Sequence, residues 1–204
     1  MTDWKSHWEG IYSDRTPDEV SWFQSEPALS LDLISRAGLP QGAEVLDLGS
    51  GASALVDRLL DLGYRVSALD VSPKALAASK ERLGPKAERV NWIVADACVW
   101  EPARTFDLWH DRAVFHFMTE PGQRAGYING LRKGLRVGGH LVVATFAPDG
   151  PEKCSGLPVR RYDTWLLLES LGPGFRLLHQ ASEEHRTPRN AVQKFQYYLL
   201  RREG

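Results

Sequence analysis

The sequence has little cysteine and almost no net charge, and each shortage excludes a class of protein. Its two cysteines, Cys98 and Cys154, are far apart and lie outside any Cys-x-x-Cys or histidine spacing. They predict neither a disulfide framework nor a metal site, so a reducing cytoplasm is the expected compartment. A formal net charge of −1 gives no electrostatic footprint for nucleic acid.

Long apolar runs are missing as well. No stretch approaches the roughly 20 apolar residues of a membrane helix, and residues 1–5 lack the pattern of a secretion signal, so we expect no membrane partner. The chain also lacks a Gly-x-Ser-x-Gly nucleophile motif and a Walker loop. With 43% hydrophobic and 25% charged residues, its 204 residues predict one globular domain.

A strand, a tight turn and a helix are predicted around residues 43–62. The apolar run 43–48 stops at Gly49 and Gly51, and a helical pattern follows. Read with Ala54, the turn fits the Gly-x-Gly-x-x-Ala form of the dinucleotide fingerprint. Glycines at such a turn let a ligand approach the backbone beside a helix N-terminus.

Two acids narrow the choice of ligand. Asp47 lies two residues before the first glycine, where a carboxylate repels a diphosphate and suits an ammonium group. Asp70 ends the next strand, about 20 residues beyond the glycines, where such folds bind ribose hydroxyls. A ligand with a ribose, a positive charge and no phosphate indicates S-adenosylmethionine. The alternative is that Asp47 and Asp70 cap neighbouring helices and that the glycines only form a turn.

Segments 45–53, 68–72 and 94–97 resemble the first three cofactor motifs of class I S-adenosylmethionine-dependent methyltransferases. The resemblance covers about residues 43–147 and departs at Ser53, where many members have a third glycine. It implies that Asp47, Gly49 and Gly51 hold the methionine part of the cofactor, Asp70 the ribose and Asp96 the adenine. The cofactor-binding residues implied by the three motifs are Asp47, Gly49, Ser50, Gly51, Asp70, Val71, Asp96 and Ala97.

Alternating strand and helix patterns predict an α/β fold with a doubly wound, Rossmann-like sheet. The family resemblance implies seven strands, mostly parallel with the last antiparallel, and helices on both faces. We expect a turn at 137–139 and closing strands at 175–180 and 193–200. The predicted single methyltransferase domain, 1–204, divides into an N-terminal helical lid (1–40), a cofactor-binding core (41–147) and an acceptor loop with a closing hairpin (148–204).

The N-terminal region carries an aromatic stripe, Trp4, Trp8 and Tyr12, at helical spacing. Core packing is the expected role of this stripe. The alternative is a lid, because tryptophan faces attract a cationic sulfonium. Trp22 fits either role and is a further candidate for contact with the cofactor.

The acceptor side resembles two branches of the family. Segment 106–113, followed by Arg124, Tyr127, Leu131 and Gly138-Gly139, is similar to thiopurine and thiol S-methyltransferases. The loop at 156–159 departs from the Gly-Pro-Pro-Phe of that branch. Residues 111–113 are also similar to the Asp-Lys-Gly block of seven-strand protein lysine methyltransferases. The Asn/Asp-Pro-Pro-aromatic block of enzymes that methylate base amino groups is absent, so no nucleic-acid substrate is expected.

The ease with which the acceptor loses its proton distinguishes the two branches. A thiol acceptor needs little more than a nearby positive group, for which Arg112 is the candidate. A lysine acceptor must first lose a proton, for which Asp111, His116 or His185 is the candidate base. The catalytic candidates are therefore Asp111, Arg112 and His116, although each also has a purely structural alternative. We expect a small, soft nucleophile first and a protein lysine second. Rival classes are an NAD-dependent oxidoreductase and a non-catalytic cofactor-binding module.

Overall fold

The computed structural model describes residues 3–204, and most of its strands belong to one sheet. The strands are β1 (Glu44–Leu48), β2 (Arg65–Asp70), β3 (Asn91–Val94), β4 (Phe106–Arg112), β5 (Leu135–Phe146), β6 (Lys153–Cys154), β7 (Leu157–Pro158), β8 (Phe175–Arg186) and β9 (Val192–Arg202). Seven of them form a sheet in the order β3-β2-β1-β4-β5-β9-β8, and β6 pairs with β7 separately. β1 to β5 run parallel, whereas β9 is antiparallel to both β5 and β8. The predicted Rossmann-like sheet is confirmed.

Several of the helices begin at a residue whose side chain caps the first turn. They are α1 (Trp4–Asp14), α2 (Ala28–Arg36), α3 (Leu55–Asp61), α4 (Pro73–Leu83), α5 (Pro121–Gly134) and α6 (Thr164–Leu171). Ser72 accepts a hydrogen bond from the amide of Ala75 at the start of α4, with Pro73 in the first turn. Asp163 accepts one from the amide of Leu166 at the start of α6. These side chains satisfy amides that a helix leaves unpaired.

Helices cover both faces of the sheet, as predicted. One buried cluster joins α2, α3 and α4 to the sheet, with Leu33, Val56 and Leu76 among its members. The other joins α5 and α6 to the opposite face, through residues such as Leu131 and Leu167. Neighbouring residues of β1 alternate between the two clusters, because successive side chains of a strand point to opposite faces.

The prediction of a turn at Val137–Gly139 is wrong. These residues belong to β5, which follows α5 without a break. Gly138 has φ of +83°, and the pairing of β4 with β5 shifts register between Phe106 and Leu108. An irregularity of this kind absorbs extra residues within a strand and uses the conformational freedom of glycine.

The predicted strand at 175–180 is too short. β8 runs on to Arg186 and pairs with β9 along its whole length. Residues 181–186 are rich in charge and lie in an edge strand. Edge strands tolerate charged side chains. The acceptor loop predicted to begin at residue 148 contains the β6–β7 hairpin.

Parallel pairing brings the carboxyl ends of β1, β2, β3 and β4 to one edge of the sheet. The residues that follow these strands therefore lie together, at the edge where open α/β sheets bind ligands. Among the residues described, no helix combines the length and the apolar character that crossing a membrane requires.

Candidate active site

The glycine turn after β1 uses its own amides within the chain. Gly49 and Ser50 both donate from their backbone N–H to the carbonyl of Leu69, at 2.7 and 3.0 Å. Gly51 donates to Oδ2 of Asp70 at 2.9 Å. A diphosphate held by a glycine turn needs free amides, and these three point into protein contacts instead.

Two side chains of α4 also hold the glycine turn in place. The Ser79 hydroxyl donates to the carbonyl of Gly51 at 3.1 Å. The Arg82 guanidinium donates to the carbonyls of Ala52 and Ser53, each at 2.7 Å. Because the Ser79 and Arg82 side chains fix its carbonyls, the turn is held in one conformation beside the cavities.

Asp70 joins the turn to the start of α4. Its carboxylate accepts the Gly51 amide and, at 2.8 Å, the Ser72 amide. Only 8% of the residue is exposed, and burial raises the pKa of the carboxyl to about 6. Asp70 is therefore positioned by the backbone, and each oxygen keeps a second lone pair for a ligand.

A first cavity lies between the strand ends and the N-terminal helix. Its walls include most of the predicted residues, namely Trp22, Gly49, Asp70, Val71, Asp96, Ala97 and Arg112. Ser50 and Gly51 do not line it. The side chain of Asp96 accepts the amide of Cys98 at 2.8 Å, which orients the loop after β3.

The aromatic stripe of α1 forms the opposite wall of the first cavity. Trp4, Trp8 and Tyr12 all line it. Trp4 and Trp8 also pack against the core, as expected, and their ring centroids lie 5.9 and 5.2 Å from that of Phe117. No residue of α1 is fully buried, so the stripe both packs and faces the cavity.

A charged contact fixes α1 over the sheet edge. The Glu9 carboxylate accepts hydrogen bonds from the Ser72 hydroxyl at 2.5 Å and from the Lys74 amide at 3.1 Å. Both partners lie at the start of α4, where the helix dipole favours an anion. The aromatic wall is thereby fastened to the element that also holds the glycine turn.

A second cavity adjoins the first and contains Asp47. Asp47 and Ser50 line it together with Ser30 and His110. Asp47 Oδ1 lies 2.7 Å from His110 Nδ1, and His110 Nε2 lies 2.9 Å from the Ser30 hydroxyl. Asp47 Oδ2 and the Ser50 hydroxyl are buried and have no hydrogen-bond partner within residues 3–204. Such groups are costly unless a ligand satisfies them.

Four residues line both cavities: Tyr12, Trp22, Gly49 and Arg112. We call the two cavities together the cleft. The Arg112 guanidinium donates from Nε to the Tyr197 hydroxyl at 2.7 Å and from Nη1 to the Trp22 carbonyl at 3.0 Å. Nη2 is buried, has no hydrogen-bond partner in the described part of the chain, and lies 3.5 Å from Oε2 of Glu183.

Asp111 and His116 line neither cavity. The Asp111 carboxylate is fully buried and accepts from the Val114 and Phe115 amides and the Tyr127 hydroxyl, at 2.9, 3.0 and 2.6 Å. Burial raises its pKa to about 6. These bonds shape the turn that carries Val114 and Phe117 into the first cavity. Asp111 thus supports the wall instead of facing the acceptor.

His116 is enclosed by aromatic rings. Its ring centroid lies 4.5 Å from that of Phe117 and 4.7 Å from that of Phe146. Burial and, secondarily, the nearby Arg112 lower its pKa to about 3. His185 is also directed elsewhere, with Nε2 at 2.8 Å from the Ser21 carbonyl. Neither imidazole lines the cleft.

Sequence reasoning missed His110, Ser30 and Glu183. His110 could have been found, because it pairs in register with Asp47 across β1 and β4, and paired residues point to the same face. Ser30 comes from α2 and Glu183 from the far edge strand. Nothing in the sequence near the cofactor motifs indicates either of them.

The sheet order, the acids at the strand ends and the glycine turn with engaged amides define a methyltransferase-type nucleoside-binding fold. Residues 45–139 match the family model of the methyltransferase domain. This stretch, just under half of the chain, is similar to methyltransferase domains of the class I, S-adenosylmethionine-dependent type.

Individual relatives agree with that assignment. A probable thiol methyltransferase 2 of Arabidopsis thaliana is 29% identical, over 76% of this chain and 65% of its own. A malonyl-[acyl-carrier protein] O-methyltransferase of a Paenibacillus species is 30% identical, over 59% of this chain and 46% of its own. The chain thus spans roughly half to two thirds of the length of these relatives.

Solved structures share the fold. A methyltransferase of Anabaena variabilis superposes with a TM-score of 0.77 at 16% identity, covering 98% of this chain and 93% of its own. The N-methyltransferase NodS of Bradyrhizobium japonicum, solved with S-adenosylhomocysteine, gives 0.70 at 16% identity, covering 96% and 98%. The sheet and its flanking helices are therefore common to this class.

Proposed function

We propose that the chain uses S-adenosylmethionine to methylate a small, uncharged, soft nucleophile, with a thiol as the preferred acceptor. The observation that carries the proposal is a pair of adjoining cavities with four lining residues in common, in which acids line the strand ends and aromatic rings line the far wall. When bound, the cofactor supplies a methyl group already activated by its sulfonium. The protein then has to hold the cofactor, position the acceptor and exclude water.

The residues present fit that cofactor. Asp47 Oδ2 and the Ser50 hydroxyl, both buried without partners among the described residues, match the ammonium and carboxylate of a methionine tail. Asp70 would accept from ribose hydroxyls, and Asp96 from the adenine amino group. Trp22 and Tyr12 line the junction of the two cavities, where aromatic faces favour a sulfonium.

The same features disfavour NAD. The amides of Gly49, Ser50 and Gly51 are engaged by Leu69 and Asp70, so a diphosphate would find no free donors there. Asp47 would add repulsion. The match of residues 45–139 to the methyltransferase domain likewise disfavours an oxidoreductase and a non-catalytic module.

A soft acceptor fits the far wall of the first cavity. Trp4, Trp8, Phe117 and Met118 give it apolar walls, and Arg112 is the only Lys or Arg side chain, among the residues described, that lines either cavity. A thiol has an ordinary pKa of about 8.5, and a cation close by favours its thiolate. Arg112 thus acts as the group that stabilises the nucleophile.

A protein lysine is the weaker candidate. Its ammonium must lose a proton, yet Asp111 and His116 do not line the cleft. The carboxylates that do line it, Asp47, Asp70 and Asp96, belong to the cofactor motifs. The name of the thiol methyltransferase relative agrees with the preference for a thiol.

The proposal includes the partition of the chain. Residues 1–40 would form a helical lid, 41–147 the cofactor-binding core, and 148–204 the acceptor loop with the closing hairpin. The partner would be a small molecule, with no role for nucleic acid or membrane. Cys98 and Cys154 are both free thiols, which fits a cytoplasmic location.

The test uses acceptors that differ only in the reacting atom. 4-Methylthiophenol, 4-methylphenol and 4-methylaniline share one carbon skeleton and are offered separately with methyl-labelled S-adenosylmethionine. We expect label in the thiol, with a kcat/KM at least about tenfold above that of the other two. Arg112→Gln should lower the rate with the thiol most at a pH below the pKa of that thiol, and less so at pH 9, where the thiolate forms unaided. Label in the amine alone, or only in protein from a cell lysate, would overturn the proposal.

A further inference from the structure

The Arg112 guanidinium is the cation of the cleft, and it is already paired. Its side chain is 10% exposed, and Nη2 lies 3.5 Å from Oε2 of Glu183, whose side chain is 21% exposed. Arg112 also lies over the ring of Phe195, with Cζ at 4.5 Å from the ring centroid. In such surroundings an ion pair is screened less than at the surface.

Other residues fix the position of Glu183. Its Oε1 accepts from the Gln24 amide at 2.8 Å, and Oε2 accepts from the Tyr197 hydroxyl at 2.9 Å. The same Tyr197 hydroxyl accepts from Nε of Arg112. Glu183 is therefore held in place by two residues besides Arg112, and its negative charge stays beside the guanidinium.

We infer that Glu183 sets the charge preference for the acceptor by neutralising Arg112. The inference rests on the proposed function, since it concerns the acceptor of that reaction. With Glu183 ionised, the Arg112–Glu183 pair has no net charge, so Arg112 still acts on a sulfur in contact with it but attracts a more distant anion only weakly. An acceptor with a permanent anion gains little attraction and must be desolvated, so neutral acceptors are favoured. Glu183 acts through Arg112 and is a positioning and specificity residue, not a catalytic one.

Glu183→Gln tests the inference because it removes the charge and keeps the shape. The amide oxygen and nitrogen of glutamine can still meet the Gln24 and Tyr197 side chains. Glu184→Gln is the matched control: it makes the same charge change on the next residue of β8, which is exposed and points to the opposite face. It lies outside both cavities.

The probe pair is 4-methylthiophenol and 4-mercaptobenzoate, which carries a carboxylate in place of the methyl group. In Glu183→Gln we expect kcat/KM for the carboxylate thiol, relative to the neutral thiol, to rise on the order of tenfold. The Glu184→Gln variant should keep the wild-type ratio. A ratio that is unchanged in Glu183→Gln, or that rises equally in both variants, would overturn the inference.

Binding provides a second measurement that needs no methyl transfer. Trp4, Trp8 and Trp22 line the first cavity, so their fluorescence reports on an aromatic ligand there. With S-adenosylhomocysteine present, Glu183→Gln should bind 4-mercaptobenzoate on the order of tenfold tighter than wild type, with 4-methylthiophenol binding changed less than twofold. If no thiol is methylated but this binding shift occurs, the proposed function fails and the inference stands. If thiols are methylated but this binding shift does not occur, the proposed function stands and the inference fails.

Discussion

The two halves of the cleft are built from different kinds of contact. In the cofactor half, Asp70 and the glycine turn are held by neighbouring backbone amides and by side chains of α4. In the acceptor half, Arg112 is held by residues distant in sequence, such as Trp22 and Tyr197. The first half is local and rigid, whereas the second depends on how the ends of the chain close over the sheet.

This difference indicates which residues determine cofactor binding and which determine the choice of acceptor. Binding of the cofactor should respond to changes near the strand ends, whereas choice of acceptor should respond to changes far away in the sequence. Substitutions in the two halves should therefore separate cofactor affinity from acceptor preference. Single substitutions can test that separation, beginning with the one of largest expected effect.

Gly49→Ala should damage the cofactor half most. Gly49 has φ of +68°, and an added Cβ would lie 2.0 Å from Cγ2 of Val114. We expect a loss of about 2–4 kcal/mol in the free energy of unfolding, from strain and overpacking together. Gly38→Ala is the control, because φ is +64° there but no heavy atom lies within 4 Å of the new Cβ. Equal losses in urea unfolding would show that the close approach to Val114 is not limiting.

Asp70→Ala should weaken the cofactor without changing acceptor preference. Removing the carboxylate leaves the Gly51 and Ser72 amides and the ribose hydroxyls without an acceptor. Affinity for S-adenosylhomocysteine should fall by about 1–3 kcal/mol in calorimetry. Asp61→Ala, which removes an exposed carboxylate paired with Lys86, should leave it unchanged. An unaltered affinity in Asp70→Ala would remove Asp70 from the site.

The pH dependence should follow the raised pKa of Asp70, about 6 against 3.8 for an exposed acid. The free folded chain binds this proton more tightly than the unfolded chain. Asp70 thus contributes stability that is fully present below about pH 4 and is lost as pH rises through 6. Cofactor binding has the opposite sign, because ribose hydroxyls donate to the ionised form.

Calorimetry should therefore show affinity for S-adenosylhomocysteine falling between pH 7 and pH 5, by at most about tenfold. Asp70→Asn should bind more weakly at pH 7 and show a flatter profile. An equally steep profile in that variant would assign the titration to another group.

Cys154→Ser should have the smallest effect. Cys154 lines the first cavity, but it is 3% exposed, and burial raises the pKa of its thiol to about 11. At neutral pH it is a thiol, not a nucleophilic thiolate. Methyl transfer to 4-methylthiophenol should stay within about twofold of wild type. Complete loss of turnover in a folded Cys154→Ser protein would indicate a covalent role.

Much of the cofactor half was predictable from the sequence. The acids and glycines follow strands whose apolar runs are plain, and parallel pairing alone brings Asp47, Asp70 and Asp96 to one edge. The pairing of His110 with Asp47 could have been predicted from the same register. The contact between them depends on side-chain packing, which periodicity does not encode.

The acceptor half was less predictable. The strand predicted at 175–180 ended before Glu183. A charged stretch is typical of a loop until its strand partner is known. Asp111 lies near the end of β4 and His116 in the turn that follows it, yet both side chains are buried in the protein interior. The direction of a side chain after a strand depends on the turn, and Ala113 there has φ of +69°.

Recognition of the cofactor depends most on Asp47, which we propose binds the ammonium of a methionine tail. Calorimetry of Asp47→Asn with S-adenosylhomocysteine and with 5′-methylthioadenosine, which lacks the amino-acid end, tests that claim most directly. We predict that the variant binds S-adenosylhomocysteine at least about tenfold more weakly than wild type and binds 5′-methylthioadenosine as wild type does. Equal weakening of both ligands, or of neither, would contradict it.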